Sequence, residues 1–456
     1  MPLVSIVQSI GIRLFGGLVG VNVAALIPLF ACYAGLVMIA YGVGIRLTGE
    51  IRVARLSATL TLFSGFFMPY WIQPDTFALF GLIGAVTLIL LGVGRARPER
   101  GRWMWAAAGL GSGLAHLTRA DGVLFLIVGV CVAIYPEPER GWRLTQGVMF
   151  RVGALILGYL VIMSSWFARN LTVIGTPLPT GGIQTVFMRD YAEIVNYPPI
   201  ISPTDFLNWG VGNILNSRIQ ALIGQGVAET GVLWTFFVVE GMILLTPFML
   251  IALWRRRLNP FLSAFILYAV GLHLAMSVVF ALPGTRGGLL HSAAALIPFW
   301  MVLGAIGLFD TIQWAARKRR WRVEGARQVF GGALSCYALL LSINIFIGSV
   351  PRMQSSGRDY QALRDLFPSN SVVMVNDPPA FYYHTGQRGV VVPNTSLTIL
   401  PTVLNRFGVT HILLDRSRTD GLAPLYTGQV TLTGVTRRIL PPQFEALGYR
   451  LFEVIR

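Results

Sequence analysis

About ten apolar runs, each long enough or nearly long enough to cross ~30 Å of hydrocarbon, occupy most of the first 350 residues of this 456-residue chain. They extend over 21–45, 56–71, 76–93, 103–117, 122–135, 148–166, 231–254, 261–282, 292–312 and 329–347. Hydrophobic residues make up 54% of the chain and charged residues only 12%, where a soluble domain carries about a quarter. Mean hydropathy is +0.64. A water-soluble core could not absorb so much apolar side chain, so the expected architecture is an α-helical polytopic membrane protein. The pair of short runs on either side of Arg119 and Asp121 fits two short helices, one broken helix or a re-entrant pair.

The chain has 36 Lys+Arg against 20 Asp+Glu, a balance that could signal nucleic acid, but the placement of the charges gives another reason for it. One set of alternating loops holds Arg46, Arg52 and Arg55; Arg95, Arg97, Arg100 and Arg102; Arg140, Arg143 and Arg151; Arg255 to Arg257; and Arg317 to Arg320 with Arg322 and Arg327. The opposite set holds Arg13, Arg119, Arg169, Arg189, Arg218 and Arg286, along with Asp75, Asp121, Asp190, Glu193, Asp205 and Glu229. Cytoplasmic loops retain basic residues, so the first set faces the cytosol and the second the outside. The positive charge orients the chain in its membrane, and no nucleic-acid partner is expected. Lys318 is the only lysine, a usage that suggests a GC-rich bacterial genome and hence a bacterial inner membrane. Cys32, Cys131 and Cys336 all lie in apolar runs, where a thiol is a small hydrophobe, so neither a disulfide framework nor a cysteine metal site follows.

Two external regions are expected. Residues 170–230 form a proline-containing loop too long for a mere connector. Residues 351–456 form a separate extracytoplasmic α/β domain beyond the 1–350 membrane domain. Its strands are expected at 371–375, 389–393, 411–415 and 449–455, with a crossover helix at 398–408. Residues 1–20 read as an amphipathic segment placed outside, which suggests a further span upstream; translocation by charge bias alone is the other possibility.

Ionisable groups at membrane edges are costly and therefore candidates for function. Asp75, in WIQPDTF, is placed to act as a general base or to cap the helix that follows. In HLTRADG, Arg119 can face a lipid phosphate with Asp121 orienting it, or the two can simply pair; His116 lies beside them as a substrate-binding candidate. The loop PGTRGGLLHS offers Arg286 as a phosphate fork, glycines that permit close approach, and His291 within reach of the same oxygens, an anion clamp favoured over a Gly-rich turn whose Arg merely meets lipid headgroups. Glu240, His273 and Asp310 read as polar contacts between helices, with a place on a substrate path as the other reading. No cluster has metal-ligand spacing, no phosphate-loop or dinucleotide fingerprint occurs, and the residues do not decide whether a divalent cation assists. Two glycan sequons, at Asn170 and Asn394, carry little weight.

The order of PLVSIVQSIGIRLFG, QPDTFALF, GLGSGLAHLTRADGVLFLI, SSWFARNLTVIGTPLP, TRGGLLHSAAALIPF and a final α/β segment resembles that of bacterial GT-C glycosyltransferases. These are relatives of the protein O-mannosyltransferases and lipid A aminoarabinose transferases, and the resemblance covers nearly the whole chain through loose patterns. It implies transfer of a sugar from a polyprenyl-phosphate carrier to a glycan, lipid or protein acceptor on the outer face, with inversion at the anomeric carbon. By position, Arg286 and His291 match the family's phosphate-side loop, and Asp75 matches the acidic position opening the second external loop. The amphipathic opening resembles a surface helix that, in the family, follows a first span and an acidic motif with the catalytic Asp. That span and motif do not occur in this sequence. Either they lie upstream, or Asp75 substitutes, or the chain is a non-catalytic assembly or binding relative. A transporter would predict internal repeats and midplane charges; no repeat is evident, and only Glu240 and His273 lie deep.

The charge pattern makes one direct prediction. A single cysteine placed at Arg255 or Lys318 should react with a membrane-impermeant thiol reagent only after the membrane is opened, and labelling in intact cells would reverse the orientation.

Overall fold

In the computed structural model the described residues are 2–97, 101–135, 145–179, 181–199, 201–224 and 231–455, with side chains undescribed at 350–356. Arg100, Arg140, Arg143 and Glu229, all used in the charge pattern, lie outside them. Two compact units emerge. The first comprises residues 1–186 and 215–346; the second comprises 187–214, from within the long loop, and 347–456.

The apolar runs are helical, and among the described residues six helices are long and apolar enough to cross a membrane: Val21–Thr48, Phe77–Ala96, Gln146–Ile174, Pro260–Val279, Ile297–Arg319 and Val323–Ser349. A seventh is reached if Ile51–Leu62 and Gly65–Trp71, bent by 47°, count as one span. This is fewer than the ten runs, because hydropathy registers apolar length while the backbone breaks at specific residues. The 231–254 run divides at 241–245, where Met242 and Ile243 take positive φ. Around Arg119 and Asp121 two short helices form, Arg102–Thr118 and Val123–Ile134, joined by one turn over Ala120–Gly122. The N-terminal segment forms the helix Leu3–Val19, which turns at Gly20 (φ 81°) into Val21–Thr48.

Breaks inside an apolar bundle are tolerated where other groups satisfy the released backbone. The Met242 carbonyl accepts from Tyr337 Oη at 2.8 Å, and the Gly65 N–H donates to Ser342 Oγ at 2.9 Å. Trp71 Nε1 donates to Ser64 Oγ at 2.7 Å. Helix approach relies on small residues. A Cβ at Gly109 would run into the Leu155 carbonyl and one at Gly158 into the Ala106 carbonyl, so the helices Arg102–Thr118 and Gln146–Ile174 touch backbone to backbone.

The basic helix ends are tied to one another. Arg327 Nη1 reaches Glu50 Oε2 at 3.1 Å, and Arg52 pairs with Glu324. Arg46 lies over the Phe261 ring at 4.5 Å, and Asp310 takes Arg255 and Arg256 at 3.2 and 3.1 Å, a polar contact between helices as the sequence suggests.

The second unit is a five-stranded sheet of β1 (Val372–Val375), β2 (Arg388–Val391), β3 (His411–Leu414), β4 (Val435–Arg438) and β5 (Arg450–Val454), in the order β2-β1-β3-β5-β4. β1 pairs in parallel with β2 and β3, while β5 runs antiparallel to β3 and β4. Strand alternation sorts the two faces. Val373, Val375 and Leu413 join Phe381 and Phe444 on one side; Met374, Ile412 and Leu414 join Leu400 and Val403 on the other. The expected crossover helix is Leu400–Arg406, whereas β4, with three exposed residues in its TRR, lacked an apolar signal. Loop residues 195–197 align with 394–395: Asn394 N–H donates to the Val195 carbonyl at 2.8 Å and Tyr197 N–H to the Asn394 carbonyl at 3.1 Å.

The glycine contact between Arg102–Thr118 and Gln146–Ile174 should be intolerant of side chains. Gly109→Ala is expected to cost about 1–3 kcal/mol and lower the thermal midpoint of the detergent-solubilised protein; an unchanged midpoint would mean those helices are not in close contact.

Candidate functional site

Residues 72–76 connect the bent helix pair ending at Trp71 to the helix Phe77–Ala96. Thr76 is the N-cap residue of that helix and makes no side-chain cap bond, while Asp75 Oδ1 accepts only from the adjacent Thr76 N–H, at 2.5 Å. The carboxylate is thus not used as a helix cap. Its side chain is 40% exposed, and Oδ2 lies 3.9 Å from His291 Nε2, too far for a hydrogen bond but close enough for charge to be felt.

His291 belongs to the short helix Leu289–Ala293. Its Nδ1 is 3.0 Å from Thr76 Oγ1, and its ring stacks on Phe77 with centroids 3.9 Å apart. Burial, and then the Arg119 cation, push the imidazole down to about 4 against the raising pull of Asp75 and Asp121. At neutral pH it is an uncharged hydrogen-bonding group. Arg286 sits in the preceding π-turn Gly284–Gly288, exposed, where Gly287 adopts φ 105°. That left-handed step, together with the close approach of Gly284 to the Met276 carbonyl, is why this turn uses glycine.

A third stretch converges here. Arg119 donates from Nε to Asp121 Oδ1 at 3.1 Å and from Nη2 to Oδ2 at 3.2 Å, the mutual pairing considered from sequence. Asp121 Oδ2 also accepts from the buried Ser292 hydroxyl, and Tyr268 Oη donates to the Ser292 carbonyl at 3.1 Å. Such a side-on fork leaves Arg119 Nη1 with no protein acceptor among the described residues, so the pairing orients the guanidinium without consuming all its donors. The two sequence readings of Arg119 and Asp121 are therefore compatible. Asp75, Arg119, Asp121 and His291 thus come together across more than 200 residues of sequence, with Thr76, Phe77, Ser292 and Tyr268 supporting them. Ser292 directly follows His291 and could have been suspected. Tyr268 lies in a featureless apolar run and carried no signal.

His116 is engaged elsewhere, with Nδ1 2.7 Å from Tyr159 Oη in a buried contact between helices. Glu240 and His273 form the expected core contact. The fully buried Glu240 carboxylate meets His273 Nε2 at 3.1 Å through Oε1 and accepts from Trp300 Nε1 at 2.7 Å through Oε2. In the second unit the loop acids serve local structure: Glu193 pairs with Arg189, Asp190 caps 191–195, and Asp205 accepts from Ser202. The sequon residue Asn170 is buried and donates to the Pro177 carbonyl at 3.0 Å. Among the described residues no group of three or more His, Cys, Asp or Glu could hold a metal ion.

No family model matches the sequence, and no curated protein does. Solved structures share its fold. ArnT from Cupriavidus metallidurans, crystallised with undecaprenyl phosphate, superposes with a TM-score of 0.55 at 15% identity, over 99% of this chain and 87% of that one. Its apo form gives 0.54 at 14% identity with the same coverage. The oligosaccharyltransferase AglB from Archaeoglobus fulgidus, solved with an inhibitory peptide and a dolichol-phosphate, gives 0.51 at 11% identity over 91% of this chain and 61% of its own. The present chain thus spans less than two thirds of the archaeal protein. Both neighbours are GT-C glycosyltransferases, and at these identities the likeness establishes the fold.

The state of His291 yields a pH prediction. The folded protein holds this ring neutral down to about 4 while an unfolded chain protonates it near 6.5, so its share of stability is lost as pH falls through that window. The thermal midpoint of His291→Gln should fall less steeply than that of the parent between about pH 6.5 and 4.5. Parallel profiles would show that the ring titrates normally.

Proposed function

We propose that this chain is a multi-pass bacterial inner-membrane glycosyltransferase that moves a sugar from a polyprenyl-phosphate carrier to an acceptor at the outer face. In this reading its ten apolar runs contribute to the membrane region and residues 351–456 lie outside. The observation that carries it is the meeting of a half-exposed carboxylate, an imidazole braced by Thr76 and Phe77, and an oriented guanidinium at one place in a GT-C fold. Such a set suits one displacement. Asp75 takes the proton from the acceptor hydroxyl as its oxygen bonds to the anomeric carbon, and the bond from that carbon to the lipid phosphate oxygen breaks with inversion. The departing phosphate gains negative charge, which the open Nη1 of Arg119 and the exposed Arg286 would meet. His291, neutral and braced by Thr76 and Phe77, would hydrogen-bond the same phosphate, while Asp121 keeps Arg119 in register for the substrate. His116 would then act on the site only by holding its helix to Tyr159. The printed ligands of the two neighbours, undecaprenyl phosphate and a dolichol-phosphate, are of the class this site would take.

Purified protein supplied with polyprenyl-phosphate sugars and membrane acceptors tests the reading. Asp75→Asn should lower turnover about a hundredfold or more while leaving donor affinity nearly unchanged. Arg286→Ala should abolish transfer with expression intact. Equal loss of turnover and donor affinity in Asp75→Asn would make Asp75 a lipid-binding group and not the base, and unchanged transfer in Arg286→Ala would remove that loop from the mechanism.

A further inference from the structure

At the arginine-rich end of the first unit, a groove of about 300 Å³ opens between the helix Ile51–Leu62, the end of Ile297–Arg319 and the start of Val323–Leu363. Leu56 and Phe309 give it an apolar floor, Thr59 adds a hydroxyl, and Arg52, Arg55 and Arg327 bring three cations to it. Two of those cations have partners: Arg52 pairs with Glu324, and Arg327 Nη1 with Glu50 at 3.1 Å. Arg55 is exposed and has no partner among the described residues, which leaves one positive charge in excess. Arg327 is also incompletely satisfied. Its guanidinium lies over the Phe309 ring at 5.2 Å, and its Nε is buried with no acceptor. Leaving a buried charged N–H unpaired is expensive, and among the described residues this donor has no acceptor, which adds to the uncompensated positive character of the groove.

We propose that this groove binds the headgroup of an anionic phospholipid from the adjoining leaflet. A phosphodiester carries a single negative charge, matching the excess, and offers oxygens to the exposed Arg55 beside the Arg52 and Arg327 cations of the lining. Basic pockets between membrane helices take such headgroups. The surroundings favour a lipid over a soluble anion. Beside the groove, Val329 and Phe330 are exposed, and Phe330 stacks with Trp321 at 6.0 Å, an aromatic pair of the kind that settles at a membrane–water interface. Gly331 and Gly332 present bare backbone to the groove, so a glycerol moiety can lie against the helix while the acyl chains stay in the bilayer. The site is separate from the one around Asp75, and its test does not depend on transfer activity.

The full chain, purified in mild detergent and stripped of lipid, is titrated with phosphatidylglycerol or with phosphatidylcholine of the same acyl chains, and bound lipid is counted by native mass spectrometry. Phosphatidylglycerol should be retained where phosphatidylcholine is not. Arg55→Ala should bind it about fivefold more weakly, the share of one arginine near an anionic surface. Gly331→Leu fills the groove while keeping every charge, since a Cβ there lies at ordinary contact distance from Phe309 and Leu56 of the lining, and should weaken binding at least as much. Arg257→Ala, in a basic loop outside the groove lining, should keep the parent affinity. Equal retention of the two lipids, or parent affinity in both groove variants, overturns the proposal. Displacement of the lipid by millimolar inorganic phosphate overturns it too, by assigning the groove to a free anion.

Discussion

Inside an apolar bundle a polar group must find its partner within the chain, because no bulk water is available to it. Much of the irregular structure of the first unit follows from that requirement. Glu240, fully buried, is held by His273 and Trp300; the broken backbone at Met242 is satisfied by Tyr337; the bend after Leu62 is closed by Ser64, Trp71 and Ser342. Asp121 obeys the same rule, with one partner, Arg119, in its own turn and the other, Ser292, from a distant stretch, and so it joins the turn after the helix Arg102–Thr118 to the short helix that carries His291. The candidate site is therefore part of the polar bookkeeping of the bundle and not an addition to its surface.

Close packing makes this arrangement definite. Backbone contact at Gly109 and Gly158 sets the distance between two helices, and Gly84, where a Cβ would meet Phe125 and Ala295, does the same near the Phe125–Tyr268 stack. Tyr268 is then fixed well enough to hold the Ser292 carbonyl, and Ser292 to hold Asp121. Such a chain of contacts lets Arg119 point one edge of its guanidinium at a carboxylate and keep the remaining donors for a ligand.

The two sets of charged residues are used differently. Near the helix ends rich in arginine, several cations go to short pairs with Glu50, Glu324 and Asp310 and to aromatic faces, and others, Arg55 among them, stay without a partner among the described residues. Around Asp75 the cations are few, and His291 is kept neutral first by burial and then by the nearby Arg119 cation. Fewer charges in a partly dehydrated site make each of them count for more.

The membrane class, the separate α/β segment and four of its five strands were legible in the sequence, because apolar length and strand alternation are local properties. Ionisable residues in apolar surroundings also stand out: of the six singled out from the sequence, Asp75, Arg119, Asp121 and His291 meet in the structure, while His116 turns to Tyr159 and Arg286 stays exposed in the turn before His291. What could not be read was who meets whom. Hydropathy counted ten runs but could not say that the run at 231–254 breaks at 241–245 or that Ile51–Leu62 and Gly65–Trp71 bend, because breaks are stabilised by residues far away in sequence. Nor could it settle whether Asp75 caps a helix, whether His291 is charged, or whether Arg119 retains donors after pairing. Those depend on burial and on partners such as Ser292 and Tyr268, supplied by other helices, and only the tertiary structure brings them together.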